Sequence, residues 1–600
     1  MHNSMLPAPP SARLSCPSSK SLRERIRAIA ADTVASWLSG GVPAEIRSAA
    51  GLRRVAEAIV ARAGGTADQA GWTMVTLVSE YWRPRLAAGG SGRRLLLLPD
   101  CPKAPAADGA SSGVPTTCGP GCGLATIWAA ARDCGWTVEP TSRAISAIGS
   151  LLTGQYDGIL GIAKLGDLEK AFGMLPAFSL PVAAVPYDSS ADRDGAGGSC
   201  ADSLAAAAID VEWVLGLLGV AGGSAAPVGD YLPLLREAAE MFTPMALREL
   251  AERSELPGLL GEGREGFDAN TVAPLEATAA MSADFLSRGG KFLRPFVTLA
   301  AFDAVVADGS DRGVVPDAAA PRAAARAAAV AIEIFHKASL VHDDIEDDDA
   351  MRYGRPTLHL ERGLPAALNA GDYLLGAGYR LVSLLPGVEP RTTADLVGIL
   401  ADAHVRLAQG QGAELWWRDA ADRGLSPAEA LTIYGLKTSP AFEAAVAMGI
   451  RLAGLPPESV AAIGRYALHV GTGFQVLNDL KDWGGDLEND RRAAGDLLGG
   501  RPTLLWALAI ERLDRPAVDR LREIAAAATG TELPSEAIGS LLLEARQIYD
   551  RANVVSRAVA IAAEQRRFAA EAVSGCRLRR LRDVLEFLLD LAVPDQVAVA

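Results

Sequence analysis

The most constraining feature of this sequence is a pair of acidic stretches, each of which follows a mostly apolar segment. The first stretch reads HDDIED (residues 342–347) and the second reads QVLNDLKD (residues 475–482). On a helix, Asp343 and Asp347 share one face with Asp344 beside them, because side chains three or four residues apart are neighbours. In the second stretch the residues that form one helical stripe are Gln475, Asp479 and Asp482.

Carboxylates that are crowded in this way repel one another unless a cation lies between them. Hard oxygen ligands favour Mg²⁺, and Mg²⁺ in proteins commonly takes substrate phosphates as further ligands. The sequence therefore predicts two helices that face each other across a bundle and clamp a diphosphate through several Mg²⁺ ions.

Length, charge and cysteine content exclude several classes of protein. A chain of 600 residues is too long for one ordinary core, so two or more domains are expected. The net charge of −14 argues against a nucleic-acid partner. No apolar stretch approaches the roughly 18 residues of a membrane span. Seven cysteines, few and odd in number, indicate a reducing compartment, so a cytoplasmic location is expected.

Hydrophobic periodicity predicts a multidomain chain. Residues 1–20 lack the apolar core of a secretory signal and are expected to be a disordered leader, followed by a helical segment over 21–90. Short apolar runs at 94–99, 158–163 and 182–186 alternate with helical patterns, which predicts a small α/β domain over 91–222. Residues 230–600 show helical periods and no strand signal, so an all-α bundle of roughly ten or more helices is expected.

Further motifs surround the acidic stretches, in the order GGKFLRP (289–295), AIEIFHKASLVHDDIEDDD (331–349), MRYGRPTLH (351–359), GLKTSPAFEAA (435–445) and RRAAGDLLGGRPT (491–503). Together they resemble the trans-isoprenyl diphosphate synthase (polyprenyl synthetase) family from about Gly289 to the carboxyl terminus. The resemblance implies an isoprenoid synthase helical bundle, commonly a homodimer. It also implies Mg²⁺-dependent condensation of isopentenyl diphosphate with an allylic diphosphate to give a linear polyprenyl diphosphate.

The resemblance also implies roles for particular residues. The metal ligands would be Asp343, Asp344, Asp347, Asn478, Asp479 and Asp482, holding three Mg²⁺ per site. The catalytic residues would be Asp343, Asp344, Asp347, Lys437, Gln475 and Asp479. The substrate-binding residues would be Lys291, Arg294, His336, Arg352, Gln411, Lys437, Thr438 and Gln475. Arg491 and Arg501 fall in a basic loop that is expected to close over the diphosphate.

Three positions show how this chain compares with the motifs of the family that it resembles. Tyr353 stands where a second, isopentenyl-side arginine is usual, so that site loses a charge. Asn478 replaces an aspartate, which keeps an oxygen ligand but weakens the hold on one Mg²⁺. Ala338, five residues before Asp343, is small where short-chain members often carry an aromatic residue, which favours a product of C20 or longer.

Four cysteines of the predicted α/β domain, Cys101, Cys118, Cys122 and Cys200, fall at strand ends and loops. Across roughly residues 90–220 the chain resembles an uncharacterised domain of unknown function with similar cysteine motifs. Four thiolates would suit Zn²⁺ or an iron–sulfur cluster, and the alternative is that they are reduced, partly buried cysteines.

Two other functions fit the same residues. A terpene synthase on the same fold would ionise and cyclise an allylic diphosphate without isopentenyl diphosphate, and Tyr353 motivates this alternative. Intact Lys291, Arg294 and His336 argue against it. A non-catalytic partner or sensor is the other alternative, and the retained carboxylate clusters argue against it because idle clusters only destabilise a fold.

Overall fold

The computed structural model separates into two units, residues 1–236 and residues 237–600, and each is described by itself. The structure describes residues 15–17, 19–43, 46–87, 93–99, 123–175, 177–187, 209–219, 231–253, 272–311, 320–420, 424–455, 461–484, 495–498, 501, 503–529 and 535–595. Most of the expected leader, and all four cysteines of the predicted metal site, lie outside these residues.

Three helices begin the amino-terminal unit: α1 (Lys20–Gly40), α2 (Ala49–Ala63) and α3 (Ala70–Ala87). The Ser19 side chain caps α1 by accepting the N–H of Leu22, which satisfies one of the donors left unpaired at a helix start. Most of α3 is buried, and α3 packs against both α1 and the sheet that follows. It is therefore the central helix of this unit.

A four-stranded parallel sheet follows, in the order β2-β1-β3-β4. The strands are β1 (Arg94–Leu98), β2 (Trp136–Pro140), β3 (Gly158–Lys164) and β4 (Val182–Tyr187). The remaining helices of this region are α4 (Gly123–Asp133), α5 (Ala144–Leu152), α6 (Leu165–Met174) and α7 (Val211–Leu217). Leu96, at the centre of β1, lies opposite Val138 and Leu160 in the register and is fully buried. Parallel strands covered on their faces are expected to be this apolar.

The sequence predicted β1, β3 and β4 but not β2. The helix that the sequence predicts over residues 122–136 ends at Asp133, because Gly135 takes a left-handed φ of 77° and turns the chain into β2. The helix expected over residues 203–219 is observed from Val211 to Leu217, and Asp210 caps it by accepting the Trp213 N–H. Residues 201–208 lie outside the described part of the chain.

The carboxy-terminal unit is helical, which confirms the predicted fold class. Its helices, the first of which spans the division between the units, are α8 (Leu232–Glu240), α9 (Pro244–Arg253), α10 (Ala277–Ser287), α11 (Leu293–Asp311), α12 (Arg322–Glu346), α13 (Leu358–Arg362), α14 (Leu364–Ser383), α15 (Pro390–Asp419), α16 (Pro427–Leu452), α17 (Ala461–Gly484), α18 (Gly495–Leu498), α19 (Leu504–Ile510), α20 (Arg515–Thr529), α21 (Ser535–Arg551), α22 (Val554–Ser574) and α23 (Arg579–Ala592). None of the helices in the described residues is both long and apolar enough to cross a membrane.

A two-residue hairpin, β5 (Met351–Arg352) and β6 (Arg355–Pro356), was not predicted. Its two turn residues, Tyr353 and Gly354, have φ values of 54° and 70°. Positive φ at both central residues is the geometry of a type I′ hairpin turn, in which asparagine and glycine are the usual residues. The tyrosine at the first turn position hid the hairpin from the sequence pattern.

Close helix contacts bring α15, α16 and α17 together around the site described below. A Cβ added at Gly410 of α15 would lie 2.5 Å from the backbone nitrogen of Lys437 on α16. A Cβ added at Gly471 of α17 would lie 2.4 Å from the Ser439 hydroxyl of α16. Any larger residue at these two glycines would force the helices apart, so the glycines set the spacing of the helices.

One hydroxyl links α3 to the edge strand of the amino-terminal sheet. Ser79 Oγ donates to the Ala184 carbonyl at 2.8 Å and accepts the Ala184 N–H at 2.9 Å. Ser79→Ala leaves both buried backbone groups unpaired, so we expect a loss of about 2 kcal/mol. Hydrogen exchange of peptides from β4 should accelerate about 30-fold if β4 opens without the rest of the unit. Ser36→Ala, which removes an exposed hydroxyl in the same unit, is the control, and equal exchange in both variants would contradict the link.

Candidate active site

A cavity of about 310 Å³ lies inside the carboxy-terminal helical unit. Its apolar walls include Ile332, Phe335, Leu340, Leu375, Leu407 and Phe474. Its polar lining includes Arg294, His336, Asp343, Glu346, Gln411, Lys437, Thr438, Gln475 and Asn478. Most of the residues that the sequence predicted to bind substrate therefore surround one space, with contributions from α11, α12, α15, α16 and α17.

The carboxyl end of α12 supplies the acidic side of the cavity. Asp343 and Glu346 line it, and Asp347 follows one residue after the helix ends. Burial raises the pKa of Asp343 to about 7, and the negative charges of Asp347 and Glu346 add to this against the opposing effect of Lys437. Negative charge at a helix carboxyl end is also opposed by the helix dipole. This end of the helix is therefore a place that favours a cation.

Asp344 points elsewhere. It is almost fully buried and accepts the Nε–H of Arg352 at 2.8 Å, and Arg352 also pairs with Asp349 at 3.3 Å. Burial raises the pKa of the Asp344 carboxyl even though Arg352 opposes the shift. Neither Asp344 nor Arg352 lines the cavity. The structure thus uses Asp344 to hold the β5–β6 hairpin against α12, and does not bring it together with Asp343.

Of the stripe predicted in the second acidic stretch, Gln475 lines the cavity, but Asp479 and Asp482 do not. Gln475 and Asn478 line the cavity and are joined by a 3.0 Å hydrogen bond from Asn478 Nδ2 to Gln475 Oε1. The Asp479 carboxylate instead accepts the Tyr434 hydroxyl at 2.6 Å and the Leu504 N–H at 3.1 Å. Its neighbour Asp482, three residues further along, accepts the Asp496 N–H at 2.9 Å.

The prediction that Asp479 and Asp482 face the first acidic stretch is therefore not what the structure shows. Burial raises the pKa of Asp479 well above its usual value, and its hydrogen bond from Tyr434 opposes the shift. The unpaired N–H groups at the start of α19 attract this carboxylate, as the amino ends of helices do. The position that faces the cavity is 478, which carries the uncharged asparagine.

Cations and amides complete the acidic side. Lys437 Nζ donates to Glu414 Oε1 at 2.6 Å, and Gln411 Nε2 donates to Glu346 Oε2 at 2.8 Å. Burial alone would lower the pKa of Lys437. The negative charges of Glu414, Asp343 and Asp347 have the larger combined effect, so the pKa is raised. Glu346 and Glu414 were missed by the sequence reasoning. The i,i+3 spacing of Glu346 from Asp343 is the signal that could have found the first of them.

Arg501, one of the two predicted loop cations, lies against the first acidic stretch. Arg501 Nη2 donates to Asp349 Oδ1 at 3.2 Å and to the backbone carbonyl of Asp347, and its Nη1 lies 3.8 Å from Asp347 Oδ2. This contact fits the expected position of Arg501. Arg491, the other predicted loop cation, lies outside the described residues.

Arg294 and His336 form a second polar wall. The Arg294 guanidinium lies 5.2 Å from the centre of the Phe442 ring, and its Nε–H is buried without a hydrogen-bond partner. Burial holds the pKa of His336 well below its usual value, and the nearby cations Arg294, Lys337 and Arg352 lower it further. His336 is therefore neutral at pH 7. Lys291 is exposed in the turn before α11 and does not line the cavity.

Three rings lie together at the apolar end. Phe335 packs edge-on against Tyr379 and His404, with centroid separations of 5.7 Å and 5.0 Å, and the Tyr379 hydroxyl lies 3.2 Å from His404 Nδ1. Phe335 precedes Asp343 by eight residues, which is about 12 Å along the helix. Ala338 is fully buried and is not among the residues that line the cavity, and its expected effect on product length stays a prediction.

The donor set at the end of α12 fits a hard divalent cation in chemical type. Within the described residues, no group of three or more His, Cys, Asp or Glu side chains is arranged to hold a metal ion. Nevertheless, Asp343 and Asp347 offer oxygen ligands one turn apart, and the raised pKa of Asp343 indicates that its ionised form is undercompensated. The cysteine site for Zn²⁺ or an iron–sulfur cluster lies outside the described residues and stays a prediction.

Comparison with known proteins assigns the class. Residues 276–538 match the polyprenyl synthetase family. A short chain isoprenyl diphosphate synthase of Methanothermobacter thermautotrophicus is 28% identical over 53% of this chain and 90% of its own length. A protein of the same description from Methanocaldococcus jannaschii is 30% identical over 40% of this chain and 69% of its own length. A geranylgeranyl diphosphate synthase of Methanosarcina mazei is 32% identical over 37% of this chain and 64% of its own length.

The chain belongs to the polyprenyl synthetase family, which confirms the resemblance found in its motifs. It is accordingly a prenyltransferase, and the family match falls within the carboxy-terminal unit that contains the cavity.

Asp343 is expected to destabilise the fold in the absence of metal. A carboxyl whose pKa rises from 3.8 to about 7 on folding binds its proton more tightly in the folded chain, so its stabilising contribution is lost as the pH rises through this range. Asp343→Asn should therefore stabilise the carboxy-terminal unit at pH 8, by at most about 4 kcal/mol, and by less at pH 5. Urea unfolding in EDTA measures this.

The control for this comparison is Asp402→Asn, which removes a carboxylate exposed on α15. If Asp343→Asn changes the free energy of unfolding equally at pH 8 and pH 5, the pKa of the Asp343 carboxyl is not raised by folding.

Proposed function

We propose that the carboxy-terminal domain, expected from the sequence over residues 230–600, condenses isopentenyl diphosphate with an allylic diphosphate in a Mg²⁺-dependent reaction and releases a linear polyprenyl diphosphate. The observation that carries the proposal is one cavity that has carboxylates and cations at one end and the edge-to-face rings of Phe335, Tyr379 and His404 near the other. Such a space suits a molecule with a diphosphate head and a hydrocarbon tail.

Asp343 and Asp347 would hold Mg²⁺ at the head of the cavity, with Asn478 as a weaker ligand from the opposite helix. Bound Mg²⁺ would neutralise the diphosphate and stabilise the charge that builds on it as the allylic C–O bond breaks. Lys437 and Arg501, now paired with Glu414 and Asp347, are placed to turn to the same oxygens. Tyr434 and the start of α19 keep Asp479 fixed, which assigns it a structural part in the site.

The isopentenyl diphosphate would lie on the other polar wall, near Arg294, Lys291 and His336. A neutral His336 can accept or donate a hydrogen bond without adding charge near the developing carbocation. Apolar side chains around that carbon keep water away, so the isopentenyl double bond attacks in its place. The proton lost from the isopentenyl carbon would pass to the departing pyrophosphate.

Phe335, Tyr379 and His404 would limit the length of the product. We propose a product of C20, the short end of the range expected from the sequence, because the Phe335 and His404 rings line the cavity and limit the room for a longer chain. Relatives described as geranylgeranyl diphosphate synthases, from Methanosarcina mazei and Geoglobus acetivorans, support this length.

We also propose that the enzyme is a homodimer. Leu364 and Leu368, on one face of α14, are 54% and 47% exposed. Apolar side chains at this spacing form a stripe that a second copy of the chain would cover.

A product assay tests the reaction. The purified chain is incubated with Mg²⁺ and labelled farnesyl diphosphate, with and without isopentenyl diphosphate, and the products are separated by chain length. Elongation that requires both substrates supports the proposal. Hydrocarbon formed from the allylic substrate alone would indicate a terpene synthase, and no turnover would favour a non-catalytic role.

Removing a metal ligand should abolish this reaction without unfolding the unit. Asp343→Ala is expected to lower kcat by at least about 1000-fold, because a cation that stabilises the leaving diphosphate is lost. Circular dichroism checks that the helices persist. Near wild-type turnover in this variant would refute the metal assignment.

Removing the ring at position 335 should lengthen the product. Phe335→Ala opens the space beyond the three rings, so products longer than those of the wild type are expected at similar total turnover. Leu543→Ala is the control, because Leu543 is exposed on α21 and does not line the cavity, so this variant should keep the wild-type product length. If Phe335→Ala keeps the wild-type product length, the Phe335 ring does not limit the length of the product.

A further inference from the structure

Lys337 is a fully buried lysine beside the cavity to which the reaction above assigns no role. It follows His336 on α12, and its ammonium points away from the cavity into the space between three segments of the carboxy-terminal unit. These segments are α12 itself, the turn formed by residues 288–292 and the β5–β6 hairpin. A buried ammonium is costly unless each of its donors is used, so its contacts carry information.

Two of these contacts are with the turn. Lys337 Nζ donates to the Arg288 carbonyl at 2.5 Å and to the Gly289 carbonyl at 2.6 Å. The turn has an unusual backbone, with φ values of 29° at Gly289, 130° at Gly290 and 46° at Phe292. Left-handed conformations of this kind persist when the surroundings fix them. The ammonium is the group that fixes the two carbonyls.

The third contact is aromatic. Lys337 Nζ lies 4.1 Å from the centre of the Tyr353 ring, with the Phe285 and Phe292 rings at 5.7 Å and 5.6 Å. An ammonium over desolvated aromatic faces is stabilised by cation–π attraction. Burial lowers the pKa of Lys337 to about 8, while Glu333 opposes the shift, so the group is still mostly protonated at pH 7. Lys337 and Tyr353 therefore act as a pair.

Because Lys337 fixes the carbonyl groups of Arg288 and Gly289, it also fixes the direction of the N–H groups that follow them. In a trans peptide the carbonyl of one residue and the N–H of the next point in opposite directions. The N–H groups of Gly289 and Gly290 are therefore directed away from Lys337. In the described part of the chain neither N–H donates a hydrogen bond. Successive backbone N–H groups next to the start of a long helix, here α11, form a cradle for an anion.

Two side-chain cations flank this cradle. Lys291 follows the two glycines directly, and Arg294 lies in the first turn of α11 with a buried, unpartnered Nε–H. Glu333 is also buried, with one carboxylate oxygen unpaired, so it offsets only part of the positive charge of Arg294 and Lys337. The turn thus combines backbone N–H groups that donate no hydrogen bond with net positive charge from neighbouring side chains.

We propose that Lys337 is a positioning residue for the second substrate: its ammonium, supported by Tyr353, holds the 288–290 turn so that the Gly289 and Gly290 N–H groups and Lys291 bind the diphosphate of isopentenyl diphosphate. This deepens the proposed function and rests on it for the identity of the ligand. Tyr353 then acts as the aromatic partner of a cation supplied by position 337. An arginine at position 353 would place a second cation against a buried ammonium.

Calorimetric titration tests the proposal. Isopentenyl diphosphate is titrated into the full chain with Mg²⁺ and inorganic pyrophosphate present, and the pyrophosphate affinity is measured separately. Lys337→Met should weaken isopentenyl diphosphate binding about 30-fold, because two hydrogen bonds from a charged donor are lost, and leave pyrophosphate binding within about twofold. Lys337→Gln keeps N–H donors and should lose less. Lys20→Met, which removes an exposed ammonium from the other unit, should change neither.

A second pair of variants separates positioning from general damage. Tyr353→Arg alone should weaken isopentenyl diphosphate binding by like-charge repulsion. Combined with Lys337→Met it should bind more tightly than either single variant, because one buried cation then remains. Losses that simply add in the double variant would overturn the pairing, and so would equal losses of pyrophosphate and isopentenyl diphosphate affinity.

The outcomes distinguish this inference from the proposed function. If the wild type binds isopentenyl diphosphate but does not elongate the allylic substrate, the reaction is refuted and the role of Lys337 stands. If the wild type elongates but Lys337→Met binds isopentenyl diphosphate as tightly, the role of Lys337 alone is refuted. If the wild type binds no isopentenyl diphosphate, both fail.

Discussion

The electrostatic stress at the carboxyl end of α12 is the constraint on which the site depends. Asp343, Glu346 and Asp347 crowd together where the helix dipole already disfavours negative charge. Lys437 and Arg501 relieve part of that stress, each through an ion pair with a neighbouring carboxylate. The raised pKa of Asp343 shows that the relief is incomplete. A chain gains nothing in stability from such an arrangement, which fits the proposed binding of a cation and a diphosphate at this end of the helix.

The two sides of the cavity are unequal. The α12 side offers carboxylates, while the α17 side offers only the amides of Gln475 and Asn478, because Asp479 is committed to Tyr434 and the start of α19. The second polar wall also has an uneven distribution of charge. There the hairpin carries Tyr353 and the neighbouring helix carries the buried ammonium of Lys337. The site therefore has its negative charge on the α12 side, and its second polar wall, next to the turn that precedes α11, is positively charged.

The sequence predicted which residues gather around the cavity better than it predicted how each one points. Helical spacing and motif order brought Arg294, His336, Asp343, Lys437 and Gln475 to one space, as expected. The same spacing placed Asp479 in the stripe, but helical phase does not reveal that a tyrosine and a helix start compete for that carboxylate. Spacing from Asp343 likewise did not show that Phe335, and not Ala338, lines the cavity.

The long helices and the apolar strands of the fold were predictable from the hydrophobic periodicity of the sequence. Strand β2 was not, because the helical pattern before it runs up to Trp136, and only the left-handed glycine at 135 separates the helix from the strand. The role of Lys337 was also hidden, because three sequence-distant segments must fold together before a lysine can be seen to lie among rings and carbonyls.

The most direct test of the account is the location of divalent cations in a crystal of the full chain grown with Mn²⁺ and inorganic pyrophosphate. Anomalous diffraction locates Mn²⁺ without reference to any assumed ligand. The account predicts Mn²⁺ bound to the carboxylates of Asp343 and Asp347 and to pyrophosphate oxygens inside the cavity. Mn²⁺ at Asp479 and Asp482 alone, or pyrophosphate bound away from α12, would contradict it.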